Sequence, residues 1–362
     1  MSRSSITSEH KRFTLSSILI FLFLAACGSP LSSSNSIQVI SPQNATQIKL
    51  LNTLRADKIG NIDTLSFGNS SNTLLTGSQL PDNSIRLWDI RTGTQRVLVN
   101  GKGQGITKLA VSPDGSKLAF ANALGETVIW DIAQQKELFE LKNSGCLFNE
   151  MIDVDFNPQG TLLATSCAQI DNNHNVGLVQ LWDIQTGTLR HDWQGTEARV
   201  WTVAFNPDGT LLASGSGGDL LAQQAGVVRI YDVKTANEVA TFQGQTLNIK
   251  QVVFSPDGTY LASASSDGTI ILWDVQGKKS LLTVKHPEGG VNGISFHPSG
   301  EILASVGDDG TIRLWDMKNG SELTVLQEEF GGMVYTVSFD PSGTVLAAAG
   351  SSGGLVTIWG IK

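Results

Sequence analysis

Few residues of this 362-residue chain have the type and spacing that chemistry needs. Beyond the first 26 residues stand four histidines, His174, His191, His286 and His297, and no two lie at a metal-ligand spacing. Neither a zinc-protease, a P-loop nor a dinucleotide-binding pattern is found in the sequence. Asp171, Asn173 and Asn175 alternate like the start of a calcium loop. However, the glycine falls one position late, at Gly177, and the twelfth position is Trp182 instead of a carboxylate. A polar hairpin tip is the expected role. Asp153 and Asp155 lie two apart in the run MIDVDF, so on a strand they share a face. Such a pair can act as acid and base or hold a cation. It can also bond to the backbone of an adjoining strand, and this is the expectation because no second polar cluster joins it. Three cysteines, Cys27, Cys146 and Cys167, are too few for a four-cysteine zinc site or a disulfide-dense scaffold. No metal, cofactor or catalytic residue is expected.

The elements around these residues begin with a leader. Arg3, Lys11 and Arg12 precede an uncharged apolar run from Leu15 to Ala26. A membrane-spanning helix needs about 20 such residues, so the run suits the core of a signal peptide. It ends Leu24-Ala25-Ala26-Cys27-Gly28, which resembles the lipobox of bacterial lipoproteins. The resemblance implies a signal peptide over residues 1–26 and an acylated Cys27 as the first residue of the mature chain. It also implies an extracytoplasmic protein, lipid-anchored in a bacterial cell envelope. Acyl chains contribute about 0.8 kcal/mol per buried methylene, so two or more hold a protein stably on a membrane. Residues 27–45 begin serine-rich and read as a flexible tether.

The remainder, residues 46–362, repeats. Trp88, Trp130, Trp182, Tyr231, Trp273, Trp315 and Trp359 follow one another at spacings of 42, 52, 49, 42, 42 and 44 residues, and all but Trp359 are followed by Asp. A second mark, x-Pro-x-Gly, ends at Gly115, Gly160, Gly209, Gly258, Gly300 and Gly343, each followed by a small and aliphatic run such as LLASGS. Short strands separated by glycine and proline turns at this period read as four-stranded antiparallel units. These marks resemble the WD-repeat family, which implies an all-β, seven-bladed β-propeller. In that family a histidine such as His286 completes a hydrogen-bond network within its blade, here with Ser305, Asp309 and Trp315. Hydrophobic residues at 40% and charged residues at 16% exclude a disordered chain. A net charge of −8 argues against nucleic acid as a partner.

Ring closure can be read as well. The seventh repeat ends after its third strand, so its outer strand is expected from Lys49–Arg55, before the first inner strand. A short helical turn is expected ahead of that strand, with Ser41 as its cap and Pro42 in its first position.

Inner strands run apolar, x, small or polar, apolar, x, apolar, as in Val200 to Phe205. Apolar positions three apart and then two apart imply a bulge that turns the second residue toward the channel mouth. Those residues are Asp63, Thr107, Ile152, Trp201, Lys250, Asn292 and Tyr335. From the x-Pro proline to the aromatic mark is 17 residues in the second, fifth and sixth repeats but 24 in the third and fourth. The expected binding face therefore carries the loops between second and third strands. It centres on blades three and four, with Trp201 as an anchor, Phe148 on the longer connection and Leu220 on the longer loop. The alternative for Trp201 is a plug in the channel. Cys146 and Cys167 approach from one face, either as a disulfide or as two buried thiols. The family resemblance implies a monomeric, non-catalytic platform for a protein or peptide. The alternatives are a propeller-type hydrolase or lactonase with acids at the channel, and a structural cell-envelope assembly factor.

Overall fold

In six of the repeats the third residue of the second strand is alanine, and the reason is the large aromatic of the next repeat. Ala119, Ala164, Ala213, Ala262, Ala304 and Ala347 are fully buried and pack in the clusters that hold Trp182, Tyr231, Trp273, Trp315, Trp359 and Trp88 respectively. A small residue on one blade thus makes room for the large aromatic of its neighbour. The first repeat has Leu75 there, and the tryptophan facing it, Trp130, is pushed to a partly buried position.

The computed structural model describes residues 37–57, 60–100, 105–141, 153–171, 174–196, 199–218, 224–327 and 331–362. The signal-peptide segment 1–26, Cys27, Cys146, Phe148, Ile152 and Leu220 lie outside these residues. The described strands form seven four-stranded antiparallel sheets, the blades of an all-β propeller. In blade one they are Ile62–Phe67, Thr73–Ser78, Ser84–Asp89 and Gln95–Asn100, in that order from the axis outward. Six of the inner strands lead into the x-Pro-x-Gly turn, and Ile62–Phe67 leads into Gly68-Asn69 instead.

Two polar devices recur. The tryptophan Nε1 donates to a hydroxyl of the second strand: Trp88 to Thr76 at 2.9 Å, Trp182 to Thr165 at 3.1 Å, and Trp273 and Trp315 to Ser263 and Ser305 at 2.8 Å. Phe120 and Ala348 occupy that position in blades two and seven, and the Nε1 atoms of Trp130 and Trp359 are buried without a partner. The aspartate after the aromatic caps the turn that follows. Asp89 Oδ1, for example, accepts from the amides of Arg91 and Thr92 at 3.0 and 2.9 Å. After Trp359 there is no such turn to cap, and Gly360 stands there; a Cβ on it would meet Leu51 and the carbonyl of Thr344.

The ring closes as the sequence implies. Lys49–Arg55 pairs antiparallel with Leu355–Gly360 as the outer strand of blade seven, Lys49 opposite Gly360 and Arg55 opposite Leu355. A buried arginine ties this strand to blade one. Arg86 is 3% exposed and bonds Asp82 through two nitrogens at 2.9 Å, Asp57 at 2.8 Å and Gln95 at 2.9 Å. Gln95 in turn donates to the Arg55 carbonyl at 3.1 Å.

Two expectations need correction. The helical turn is a 3₁₀ helix over Ala45–Gln47 and starts later than expected. Asn44 precedes it, and its Oδ1 accepts from the Ser41 amide at 2.7 Å, so Ser41 does not cap it. Residues 37–45, expected in the tether, instead pack on the propeller. The Gln38 amide bonds the Ile361 carbonyl and the Ile40 amide the Gly343 carbonyl, both at 2.9 Å, and Ile40 and Ala45 are buried. Ile40 gains more from the core than from water, whereas Ile37 and Val39 stay exposed.

Candidate functional site

The bulge implied by the inner-strand pattern is present in each of the six inner strands described from their start. Pairing with the second strand skips one residue, at Asp63, Thr107, Trp201, Lys250, Asn292 and Tyr335. The apolar residue before each skip, such as Ile62, Val200 or Val334, is at most 2% exposed. It anchors between blades while the bulged residue is released to the channel mouth.

Below that ring a channel of about 460 Å³ runs between the inner strands, lined by Thr64, Lys108, Asp153, Asp155, Gln251 and Ser295 among others. Most of its polar groups are engaged in joining blades. Asp153 Oδ2 accepts from the Val203 amide at 3.0 Å and Asp155 Oδ2 from the Phe205 amide at 2.7 Å. Thr64, Thr202, Gln251 and Ser295 accept equivalent bonds from Leu109, Val252, Ile294 and Phe339 at 2.8–3.3 Å. The paired carboxylates therefore bond to the strand of the next blade, as expected. Burial pushes the Asp155 carboxyl up to about 7, against the amide bond from Phe205, and the nearby Asp153 charge adds to the rise.

At the mouth, Trp201 is covered. Its ring is 9% exposed, its Nε1 donates to the Gly217 carbonyl at 2.9 Å, and the Lys250 ammonium sits 4.3 Å from the ring centroid. The Arg199 guanidinium lies 6.0 Å away. Thr107 is likewise buried, its hydroxyl bonded to the Ala121 carbonyl at 3.3 Å. Asn292 and Tyr335 are half-buried on the other side of the mouth. Asn292 Nδ2 donates to Asp308 Oδ1 at 2.9 Å and to the Val334 carbonyl at 3.2 Å. Burial raises the pKa of the Tyr335 hydroxyl, and the charges of Asp63 and Asp308 add to the rise against the Ser351 hydrogen bond. Burial pushes Asp63 itself up to about 6, opposed by the Gln79 amide bonded to its Oδ2 and by the Lys108 charge. Gln79 and Asp308 were not picked out from sequence, since both belong to loops between second and third strands and reach the ring only through folding.

The longer third repeat changes strands instead of a loop. Its second and third strands, Leu162–Asp171 and His174–Asp183, each run ten residues and pair to Asp171 opposite His174. The extra residues add ladder pairs, Ala168 opposite Gly177 through Asp171 opposite His174. Of the residues that alternate like a calcium loop, Asn173 lies outside the described residues. His286 occupies its expected network: Nε2 lies 2.8 Å from Ser305 Oγ, which also accepts from Trp315, and Nδ1 is 3.6 Å from Asp309. Burial lowers its pKa despite Asp309, favouring a neutral ring. His297 serves the turn to blade seven, with Nε2 3.0 Å from the Gly343 carbonyl. Cys167 is 2% exposed and disulfide-bonded.

Comparison with known proteins agrees with this architecture. The model of the nucleolar protein 10-like, N-terminal domain matches residues 164–356, more than half of the chain, and that of the WD domain, G-beta repeat, matches residues 48–89. The small ribosomal subunit protein RACK1y of Oryza sativa subsp. japonica is 28% identical over 120 residues, 33% of this chain and 32% of the rice protein. Transcription initiation factor TFIID subunit 5 of Caenorhabditis elegans is 30% identical over 81 residues, 22% of this chain and 12% of that protein. Autophagy-related protein 16 of Arabidopsis thaliana is 25% identical over 177 residues, 40% of this chain and 34% of that protein. The matched part thus spans about a third or less of each relative. WD-repeat propellers of this kind are generally non-catalytic protein-interaction scaffolds. With seven repeats folded as seven blades and a propeller model matched from blade three to blade seven, the chain belongs to the WD-repeat β-propeller family.

Proposed function

We propose that the protein is a non-catalytic interaction platform, tethered to a bacterial cell envelope through lipid on Cys27, that binds a protein or peptide on the channel mouth ringed by bulged residues. The observation that carries this reading is the division of labour along the inner strands. Channel-facing acids and hydroxyls are used to join blades, whereas the bulged residues are turned to the mouth. A hydrolase would need acids poised on a substrate, and Asp153 and Asp155 are bound to the next blade's backbone. The lipid anchor rests on the lipobox-like residues Leu24–Cys27. If Cys27 is acylated, Cys146 is the remaining cysteine able to bond Cys167, a pairing suited to an oxidising compartment.

The test places a photo-crosslinking amino acid in the full chain at Tyr335, on the bulged mouth, or at Gln276, at the opposite end of the molecule. Crosslinked partner from position 335 and none from 276 is the expected result. Adducts from 276 alone would overturn the assignment of the face. Mass spectrometry of the same membrane-extracted protein is expected to show a diacylglyceryl group on Cys27, and an unmodified secreted chain would remove the anchor.

A further inference from the structure

The connection from blade five into blade six carries a histidine closed off from water. His286 is fully buried, its amide donates to the Gly268 carbonyl at 2.9 Å, and its Nε2 lies 2.8 Å from Ser305 Oγ. That oxygen accepts from Trp315 Nε1 at 2.8 Å, so the serine's own hydrogen is left to bond Nε2. A single proton on Nδ1 completes the neutral ring, facing Asp309 across 3.6 Å, longer than a hydrogen bond. Asp309 is committed elsewhere, to Thr311 at 2.8 Å and to Arg313 at 3.2 Å, and Arg313 also pairs with Glu322. Lys285 and Glu288 flank the histidine in sequence, Asp308 bonds Gly290 at the end of the connection, and Asp267 precedes Gly268. In the connection from blade four into blade five the same place is held by a residue that does not titrate. Gln245 Oε1 accepts from Ser263 Oγ at 2.6 Å, and that oxygen accepts from Trp273 Nε1 at 2.8 Å.

We propose that His286 makes the connection between blades five and six an acid-sensitive clasp, whose segment 286–290 opens when the ring takes a second proton, whereas the connection at Gln245 stays shut. A proton on Nε2 turns that atom from acceptor to donor, toward a serine whose hydrogen must then find another acceptor. It also places a full charge in a site without water, beside Arg313, where the Asp309 carboxylate is already shared. Burial accordingly lowers the ring's pKa from its ordinary 6.5, against the Asp309 charge and with Arg313 adding to the fall. The opened segment takes up the proton at about 6.5, and the closed one only at lower pH. Closure is therefore complete above about 6.5 and is lost as pH falls, the ratio of open to closed rising by up to about tenfold per pH unit. Gly290, at the end of this segment, bonds Asp308 at 2.9 and 3.0 Å, and Asn292 follows in the ring of bulged residues. Opening thus loosens one side of the mouth, whatever the mouth binds.

The test is hydrogen exchange of the full chain, read by mass spectrometry at pH 7, 6 and 5 and corrected for the intrinsic rate at each pH. Protection of residues 286–290 is expected to fall by up to about tenfold per pH unit below 6.5, while that of residues 245–249 holds. His286→Gln, which can accept from Ser305 as Gln245 does from Ser263, should make 286–290 insensitive to pH over this range. Gln245→His should confer the loss on 245–249, and it decides the matter if the first variant does not fold. Tryptophan fluorescence first establishes that each chain is folded at each pH. Equal protection of 286–290 at all three pH values in the parent, an equal loss in His286→Gln, or no pH dependence gained in Gln245→His would overturn the proposal.

Discussion

At the scale of single residues, buried polar atoms show where the repeat is complete and where it lapses. The hydroxyl that receives the tryptophan Nε1 in blades one, three, five and six is replaced by Phe120 in blade two and Ala348 in blade seven, so two indoles lose their acceptor. A buried donor left unpaired costs about 1–3 kcal/mol. Asp155 is a residue whose ionisation bears directly on stability. Its carboxyl titrates at about 7 in the folded channel, against an ordinary value of 3.8. The folded protein therefore keeps a proton that the unfolded chain releases, and stability falls as pH rises from about 4 through 7. Asp153 on the same strand and Lys108 across the channel face the same space. Asp155→Asn can still accept from the Phe205 amide but has no charge to bury. Urea unfolding of the variant is expected to show a flatter pH profile, with a gain of roughly 1–3 kcal/mol at pH 8. An unchanged profile would mean that Asp155 is ionised throughout this range.

At the scale of elements, each blade leans on the next through its outer strand. Phe139, paired opposite Ile129, lies against Gly187 of the following blade, and Leu282, paired opposite Leu272, lies against Gly320. In blade four the residue at this position, opposite Ile230, is Ala240. The space that a larger side chain would occupy is a groove of about 370 Å³, lined by Leu211, Ile230, Val239 and Val275. Ala240→Leu should fill part of it and raise stability by about 1 kcal/mol, measured by calorimetry as a modest rise in Tm. A lower Tm would show that the outer strand cannot admit the side chain without moving. This groove was not legible in the sequence, because an alanine in the run EVATF looks unremarkable until the neighbouring blade is set against it. The ten-residue strands of blade three were missed for a related reason. Seven extra residues can lengthen either a loop or a hairpin, and pairing across the hairpin decides which.

At the scale of the whole molecule, stability depends on closing the ring, since each blade buries its faces only against two neighbours. Closure rests on the strand Lys49–Arg55 and on the Arg86 network that holds its end to blade one. Arg86→Ala would leave Asp82, itself 5% exposed, without its cation. Removing one partner of a buried ion pair costs about 3–5 kcal/mol, so denaturant unfolding of this variant should shift by an amount in that range. Deleting through Arg55 should go further, exposing the edge of Leu355–Gly360 and causing aggregation visible by light scattering. A truncated chain that melts like the parent would show that closure does not depend on this strand.

What the sequence determined by itself is whatever repeats or follows from counting. Seven aromatic marks imply seven blades, a final repeat one strand short implies closure by the N-terminal strand, and a three-then-two apolar spacing implies a bulge at Asp63, Trp201 and their equivalents. These are local properties of a chain whose strands pair with sequence neighbours. Tertiary structure alone decided what happens between blades, where the partners lie about 50 residues apart: that Asp153 and Asp155 bond to Val203 and Phe205, and that Lys250 covers Trp201. It also drew Ile40 out of the expected tether into the core. The reason is physical. A side chain's hydrogen-bonding partners and its exposure are set by what the neighbouring blade brings against it, and the spacing of residues along one strand carries no record of that neighbour.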